Sequence, residues 1–247
     1  MFHARIRLAN TVFQIDATMP LVLGRTLPHF ISDDEPHVNV LIRYAGPNEQ
    51  IDAAYSFKSE DGYTILIPND RYTVTSVWQF FHLLPMEEIL MERGTLIFHA
   101  NYLLHDGCAI LFSGPSGIGK STQGNLWVAS GEGTVINGDR VLLTPTEDGI
   151  QVDSHYLCGS SEICTNFTAP LKAIVLLEQG TCNVIRVPSP FERFKNVLGQ
   201  MSYHVDNSDH RIRITELVEK LLASAKVIHF TCRKDESAVK CLKEYLF

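Results

Sequence analysis

The run Gly114-Pro115-Ser116-Gly117-Ile118-Gly119-Lys120-Ser121-Thr122 is a complete G-x-x-x-x-G-K-[S/T] phosphate-binding motif. Its glycines let the backbone curl until successive N–H groups point inward and form an anion nest at a helix N-terminus. In this pattern Lys120 reaches the β- and γ-phosphates of a nucleotide, and the Ser121 hydroxyl sits on Mg²⁺. The flanks supply the context that the motif requires. The apolar run Cys108-Ala109-Ile110-Leu111-Phe112 reads as a buried strand, and Ser121 to Ser130 reads as a helix.

Such a loop needs a carboxylate to place the metal, normally at the end of a neighbouring strand. Asp139 is the best candidate, because the short apolar run Thr134-Val135-Ile136 leads into Asn137-Gly138-Asp139-Arg140. Asn-Gly-Asp is also strong turn chemistry, and a turn at a strand end is where a metal ligand or catalytic acid/base would sit. Arg140 either lends positive charge to a transferring phosphoryl group or is a solvated strand residue. His99 lies in the apolar run Leu96-Ile97-Phe98-His99-Ala100, which suits a core histidine as well as a titrating group at a site. Gly159-Ser160-Ser161-Glu162 is small and polar between apolar flanks. It reads either as a surface turn or as a loop that approaches the acceptor of a phosphoryl group.

The elements that must position these groups divide the chain near Arg93. Residues 1–93 are β-rich, with strands expected at Ala4–Leu8, Val12–Ile15, Val38–Tyr44, Ile51–Phe57 and Tyr63–Ile67. Turn clusters such as Ser32 to Pro36, Gly46 to Asn48 and Pro68 to Asp70 separate them. A helix is expected over Val77–Glu92, kinked or divided at Pro85 and ended by Gly94. Residues 94–247 alternate between the two element types. Strands are expected at Thr95–Leu103, Cys108–Phe112, Thr134–Ile136, Arg140–Leu143, Lys172–Glu178 and Lys226–Thr231. Helices are expected at Lys120–Ser130, Pro190–Met201, Thr215–Ala225 and Asp235–Tyr245. Trp127 and Leu126 are expected in the core, and His105, beside Asp106-Gly107, at a hairpin turn.

Composition narrows the function classes. The 247 residues are 45% hydrophobic and 20% charged, as in an ordinary folded protein with a substantial core. A net charge of −7 with no basic run argues against a general affinity for nucleic acid or anionic membrane. No apolar stretch approaches membrane-spanning length, and the N-terminus lacks the continuous apolar core of a signal peptide. The six cysteines include no C-x-x-C pair, and a reducing cytoplasm fits them.

From Phe98-His99-Ala100 through Ala109 to Ser121, the sequence resembles the kinase core of HPr kinase/phosphorylase, which shares a phosphate-loop fold with ATP-type phosphoenolpyruvate carboxykinases. The resemblance covers residues 95 to about 145, becomes loose up to Glu178, and is not visible in the first 90. It implies an α/β P-loop kinase core behind a β-rich N-terminal region, with ATP and Mg²⁺ as cofactors. It further implies that His99, Lys120 and Asp139 are catalytic, and that the family's acidic pair corresponds here to Gly138-Asp139. The segment by which the family engages its protein substrate is not recognisable; Leu157 to Cys164 stands in its place. The expectation is a cytoplasmic phosphotransferase acting on a peptide, protein or small-molecule hydroxyl other than that of HPr. A nucleotide-binding regulatory module with little catalysis is the alternative.

Overall fold

Two mixed sheets organise the chain, one in each of two units, Met1–Ile89 and Leu90–Phe247. The computed structural model describes residues 1–69, 75–203 and 208–247, with six α-helices among them. Asp70, the last residue of one expected turn cluster, lies outside the described residues.

In the first unit the strands are β1 (Phe2–Leu8), β2 (Thr11–Ala17), β3 (Val38–Tyr44), β4 (Tyr55–Ser59) and β5 (Gly62–Ile67). Their order in the sheet is β1-β2-β3-β5-β4. β1 and β2 form an antiparallel hairpin, β2, β3 and β5 run parallel, and β4 returns antiparallel to β5. Alternation buries Ile6, Leu8, Phe13, Ile15, Val40, Ile42, Ile65 and Ile67. The strand expected from Ile51 begins only at Tyr55. Asp52, Ala53 and Ala54 lack the β-branched and aromatic side chains that fill a pleated surface. Pro85 divides the expected helix into α1 (Trp78–Phe81) and α2 (Met86–Glu92). The division between the units falls inside α2, slightly ahead of Arg93.

The second unit contains β6 (Leu96–His105), β7 (Cys108–Ser113), α3 (Lys120–Ala129), β8 (Thr134–Asn137), β9 (Arg140–Thr146), β10 (Gly149–Ser154), β11 (Thr168–Gln179), β12 (Val184–Arg186), α4 (Pro190–Leu198), α5 (Ser208–Ser224), β13 (Val227–Cys232) and α6 (Glu236–Leu246). The sheet order is β10-β9-β6-β7-β11-β13-β12, with β8 also paired to β6. β7, β11 and β13 run parallel at its centre.

The unbroken apolar run of β7 is explained by burial on both faces. Ala109 and Leu111 enter one core with Ile214, Leu217, Val218 and Leu221 of α5 and Val197 of α4. Ile110 and Phe112 enter a second core with Trp127 of α3 and Ala238, Val239 and Leu242 of α6. Leu126 packs against this second core. Helices therefore cover both faces, and the central strands hold their C-terminal ends at one edge, where the phosphate-loop motif begins.

Candidate functional site

Ser113 is the last residue of β7, opposite Ala100 of β6 on one side and Leu176 of β11 on the other. The chain then turns through residues 114–119 into α3. Gly114, Gly117 and Gly119 have φ of 140°, 77° and 118°. At Gly117 and Gly119 a Cβ would meet nothing within 4 Å, so glycine is needed there for the backbone angle and not for space. Gly119 is the N-cap of α3 and offers no side-chain cap, which leaves the leading N–H groups of the helix to water or a ligand. The Nζ of Lys120 folds back to donate to the carbonyls of Gly114 at 2.9 Å and Pro115 at 3.3 Å. Burial lowers the pKa of Lys120, while the nearby charge of Asp139 pulls the other way. Gln179, at the end of β11, donates to Gly117 O at 3.1 Å and Ile118 O at 3.2 Å and so pins the loop from the neighbouring strand.

His99 stands on β6 beside this loop. Ser113 Oγ donates to its carbonyl at 2.9 Å, and its own N–H donates to Gln200 O at 2.9 Å, which fixes the backbone. The side chain is 34% exposed, so it is no core histidine, and its Nε2 lies 3.2 Å from Asp139 Oδ1. Asp139 sits in a break between β8 and β9, which pair successively with the same strand β6. Its carbonyl accepts from Ala100 N at 3.0 Å, so Ser113 of β7, Ala100 of β6 and the Asp139 turn lie in one row. Arg140 Nε is 3.5 Å from Asp139 Oδ2. The hydrogen bond from His99 holds the Asp139 carboxyl below the usual aspartate range against the effect of burial, and the charges of His99, Arg140 and Lys120 help.

A cavity of about 320 Å³ joins these groups. Its lining includes His99, Ser116, Gly117, Gly119, Lys120, Ser121, Thr122, Gly138, Asp139, Ser160 and Ser161. Of the other residues expected at the site, Gly114 and Pro115 offer carbonyls to Lys120, and Ile118 packs on the second core. Arg140 reaches the site through Asp139. Gly159 packs against Asp139, where a Cβ would come within 2.9 Å of the Asp139 Cβ. Glu162 has φ of 54° and ends a short 3-10 turn over Gly159–Ser161. Neither Gly159 nor Glu162 lines the cavity.

Asn137 is a residue that pattern reading passed over as part of a turn. It is fully buried. Its Oδ1 accepts from the N–H groups of Asp139 at 2.9 Å and Arg140 at 3.0 Å. Its Nδ2 donates to His155 O at 2.6 Å, Leu157 O at 3.2 Å and Ser154 Oγ at 3.2 Å. One amide thus ties the carboxylate turn to the segment that follows β10. The only advance signal was a polar residue closing an apolar strand.

Searched against known proteins, the chain matches no family model and no curated protein.

The donor chemistry of the cavity suits a phosphate ester with a hard cation. The uncapped helix start and the half-buried Lys120 favour anions. Ser121 and Asp139 offer one hydroxyl and one carboxylate. Mg²⁺ takes such oxygen donors while keeping waters and phosphate oxygens in its shell. Among the described residues no three of His, Cys, Asp or Glu gather into a metal site of their own.

Proposed function

We propose that this chain is an ATP-dependent phosphotransferase that moves a phosphoryl group to a hydroxyl of a peptide, protein or small molecule, on a P-loop core like that of HPr kinase. One observation carries the reading. A glycine loop with three positive φ angles, the Lys120 ammonium and the Asp139 carboxylate meet in a single cavity at the ends of parallel strands. The resemblance of residues 95 to about 145 to the HPr kinase core supports it, as does the 3.2 Å approach of His99 Nε2 to Asp139 Oδ1.

Bound Mg²⁺–ATP would supply the phosphoryl group and neutralise part of its charge. Lys120, which now donates to the carbonyls of Gly114 and Pro115, would turn to the β- and γ-phosphate oxygens. The N–H groups of residues 116–121 would bind the phosphates, and Ser121 with Asp139 would hold the metal. A carboxyl kept below its ordinary pKa is a poor proton abstractor and a good ligand and hydrogen-bond acceptor. Asp139 with His99 would therefore orient the acceptor hydroxyl and take its proton late, as a loose phosphoryl-transfer transition state allows. Most of the acceleration comes from positioning and electrostatics. Ser160 and Ser161, which line the cavity, would stand on the acceptor's side. The protein acts in the cytoplasm, and among the described residues no helix is long and apolar enough to cross a membrane.

The test is transfer of γ-labelled phosphate from ATP to a panel of peptides, metabolite alcohols and purified HPr. Label on a hydroxyl acceptor, lost with Lys120→Ala and with Asp139→Asn, is expected. Stoichiometric ATP binding with no acceptor-stimulated ADP release would instead favour a regulatory module. Efficient phosphorylation of an HPr serine would overturn the prediction that HPr is not the acceptor.

A further inference from the structure

Two glycines interlock the carboxylate turn with the turn that carries Ser160 and Ser161. The φ of Gly138 lies outside the left-handed region, so its backbone would accept any residue. Space excludes a side chain. A Cβ on Gly138 would stand 1.9 Å from Ser161 Oγ and 2.5 Å from Ser161 Cβ, far inside contact distance. Across the same junction Gly159, with φ of 60°, leaves room for Asp139, whose Cβ and Cγ would lie 2.9 Å and 3.0 Å from a Cβ there. Ser161 thus occupies the side-chain space that Gly138 lacks, and Asp139 occupies that of Gly159.

The seating is reinforced from both sides. Ser161 Oγ donates to Cys158 O at 2.7 Å and accepts from Ile163 N at 3.3 Å, while Gly138 N donates to Ile163 O at 3.3 Å. Asn137 anchors the carboxylate turn and the segment leading to Cys158 through one amide.

Resting on the phosphotransferase reading, we infer that Ser161 is a positioning residue for Asp139. By filling the space beside Gly138 it fixes where the single carboxylate of this turn stands relative to Ser121, and so sets the metal-dependent part of nucleotide binding. Its hydroxyl is engaged within its own turn, so this role is steric. A contact that merely stabilised the fold would affect melting temperature alone. A positioning contact also governs the gain in nucleotide affinity that Mg²⁺ brings.

The experiment uses the full chain as wild type, Gly138→Ala, Ser161→Gly and the double variant. Each is titrated with a fluorescent ATP analogue in Mg²⁺ and in EDTA, and each is melted. Wild type should bind more tightly in Mg²⁺. Gly138→Ala should keep its EDTA affinity but lose about tenfold of the Mg²⁺ gain, the usual scale for disturbing a residue behind a metal ligand. Adding Ser161→Gly removes the clashing atoms and should restore most of that gain together with the melting temperature. Ser161→Gly alone adds no atom and guards against a folding failure, and it should lose about threefold or more of the gain. A full Mg²⁺ gain in Gly138→Ala or Ser161→Gly would overturn the inference, as would a double variant no better than Gly138→Ala. Wild type that binds the analogue equally with and without Mg²⁺ would overturn it too, while leaving the nucleotide site standing. Failure of wild type to bind the analogue at all would bring down the phosphotransferase reading itself.

Discussion

Lys120 and Asp139 divide the work at the residue scale, and their variants should fail differently. In the proposed reading Lys120 is the cation that the loop places on the phosphates. Lys120→Ala should therefore weaken Mg²⁺–ATP binding about tenfold or more and abolish turnover, because removed phosphate-site charges act in both ground and transition states. Asp139→Asn keeps the shape but loses the charge that His99, Arg140 and Lys120 surround. Turnover should fall about 100-fold or more, on the scale of losing one preorganised electrostatic contact. ATP affinity measured in EDTA should stay close to that of wild type. Activity undiminished at limiting Mg²⁺ would move the metal role elsewhere. His99→Ala should cost activity while shifting the melting temperature little, because the ring is one-third exposed and is not part of either core. A large drop in melting temperature with full specific activity would contradict that. That Lys120, Ser121 and Asp139 share one cavity was legible in the sequence because the loop motif fixes residue types at short spacings and a strand leads into Asp139. Asn137 was not, because its partners at Ser154, His155 and Leu157 are distant in sequence and only the fold brings them together.

At the scale of elements, the legible parts were those with one strong period. β3 and β7 and the start of α3 follow from apolar runs and the glycine loop. β10, with only Ile150 and Val152 alternating, is too short a pattern to read as a strand, although a Glu147-Asp148 turn precedes it. β12 has three residues and no pattern to read. α5 starts at Ser208, well before the expected Thr215, because its first two turns are mostly polar, with Ile212 exposed, and the buried apolar stripe begins only at Ile214. Asp139 follows the end of β8, as the apolar run before it implied, but the successive pairing of β8 and β9 with the same strand β6 is one that no local pattern encodes.

The segment after β10 also carries a pH liability. His155 is buried, its Nδ1 accepts from Leu157 N at 3.0 Å, and burial pushes its pKa down to about 3. The folded state therefore prefers neutral imidazole, whereas the unfolded chain protonates near the free value of 6.5. This group's stabilisation is fully present above that value and declines as pH falls toward about 3, by about 1.4 kcal/mol per pH unit for one proton. Melting temperature should fall between about pH 7 and about pH 5, and His155→Gln should flatten that slope even if it starts lower. An unchanged slope in His155→Gln would show that other groups set the acid sensitivity.

At the scale of the whole molecule, two units each hold a sheet, and the site lies wholly within Leu90–Phe247. The β-rich character of the first unit was legible from turn clusters and alternation, whereas the strand order β1-β2-β3-β5-β4 was not, because parallel neighbours are chosen by long-range packing. A ligand that binds only the folded second unit must stabilise it, by about 2.7 kcal/mol at a hundredfold excess over Kd. Mg²⁺–ATP should therefore raise the melting temperature of wild type and leave that of Lys120→Ala nearly unmoved. The most direct measurement is calorimetric titration of Mg²⁺–ATP into wild type and Lys120→Ala, both verified as folded. Saturable one-to-one binding by wild type, weakened about tenfold or more in the variant, is the predicted result. No saturable binding by wild type, or equal affinity in the two proteins, would contradict the assignment of residues 114–122 as a nucleotide phosphate site.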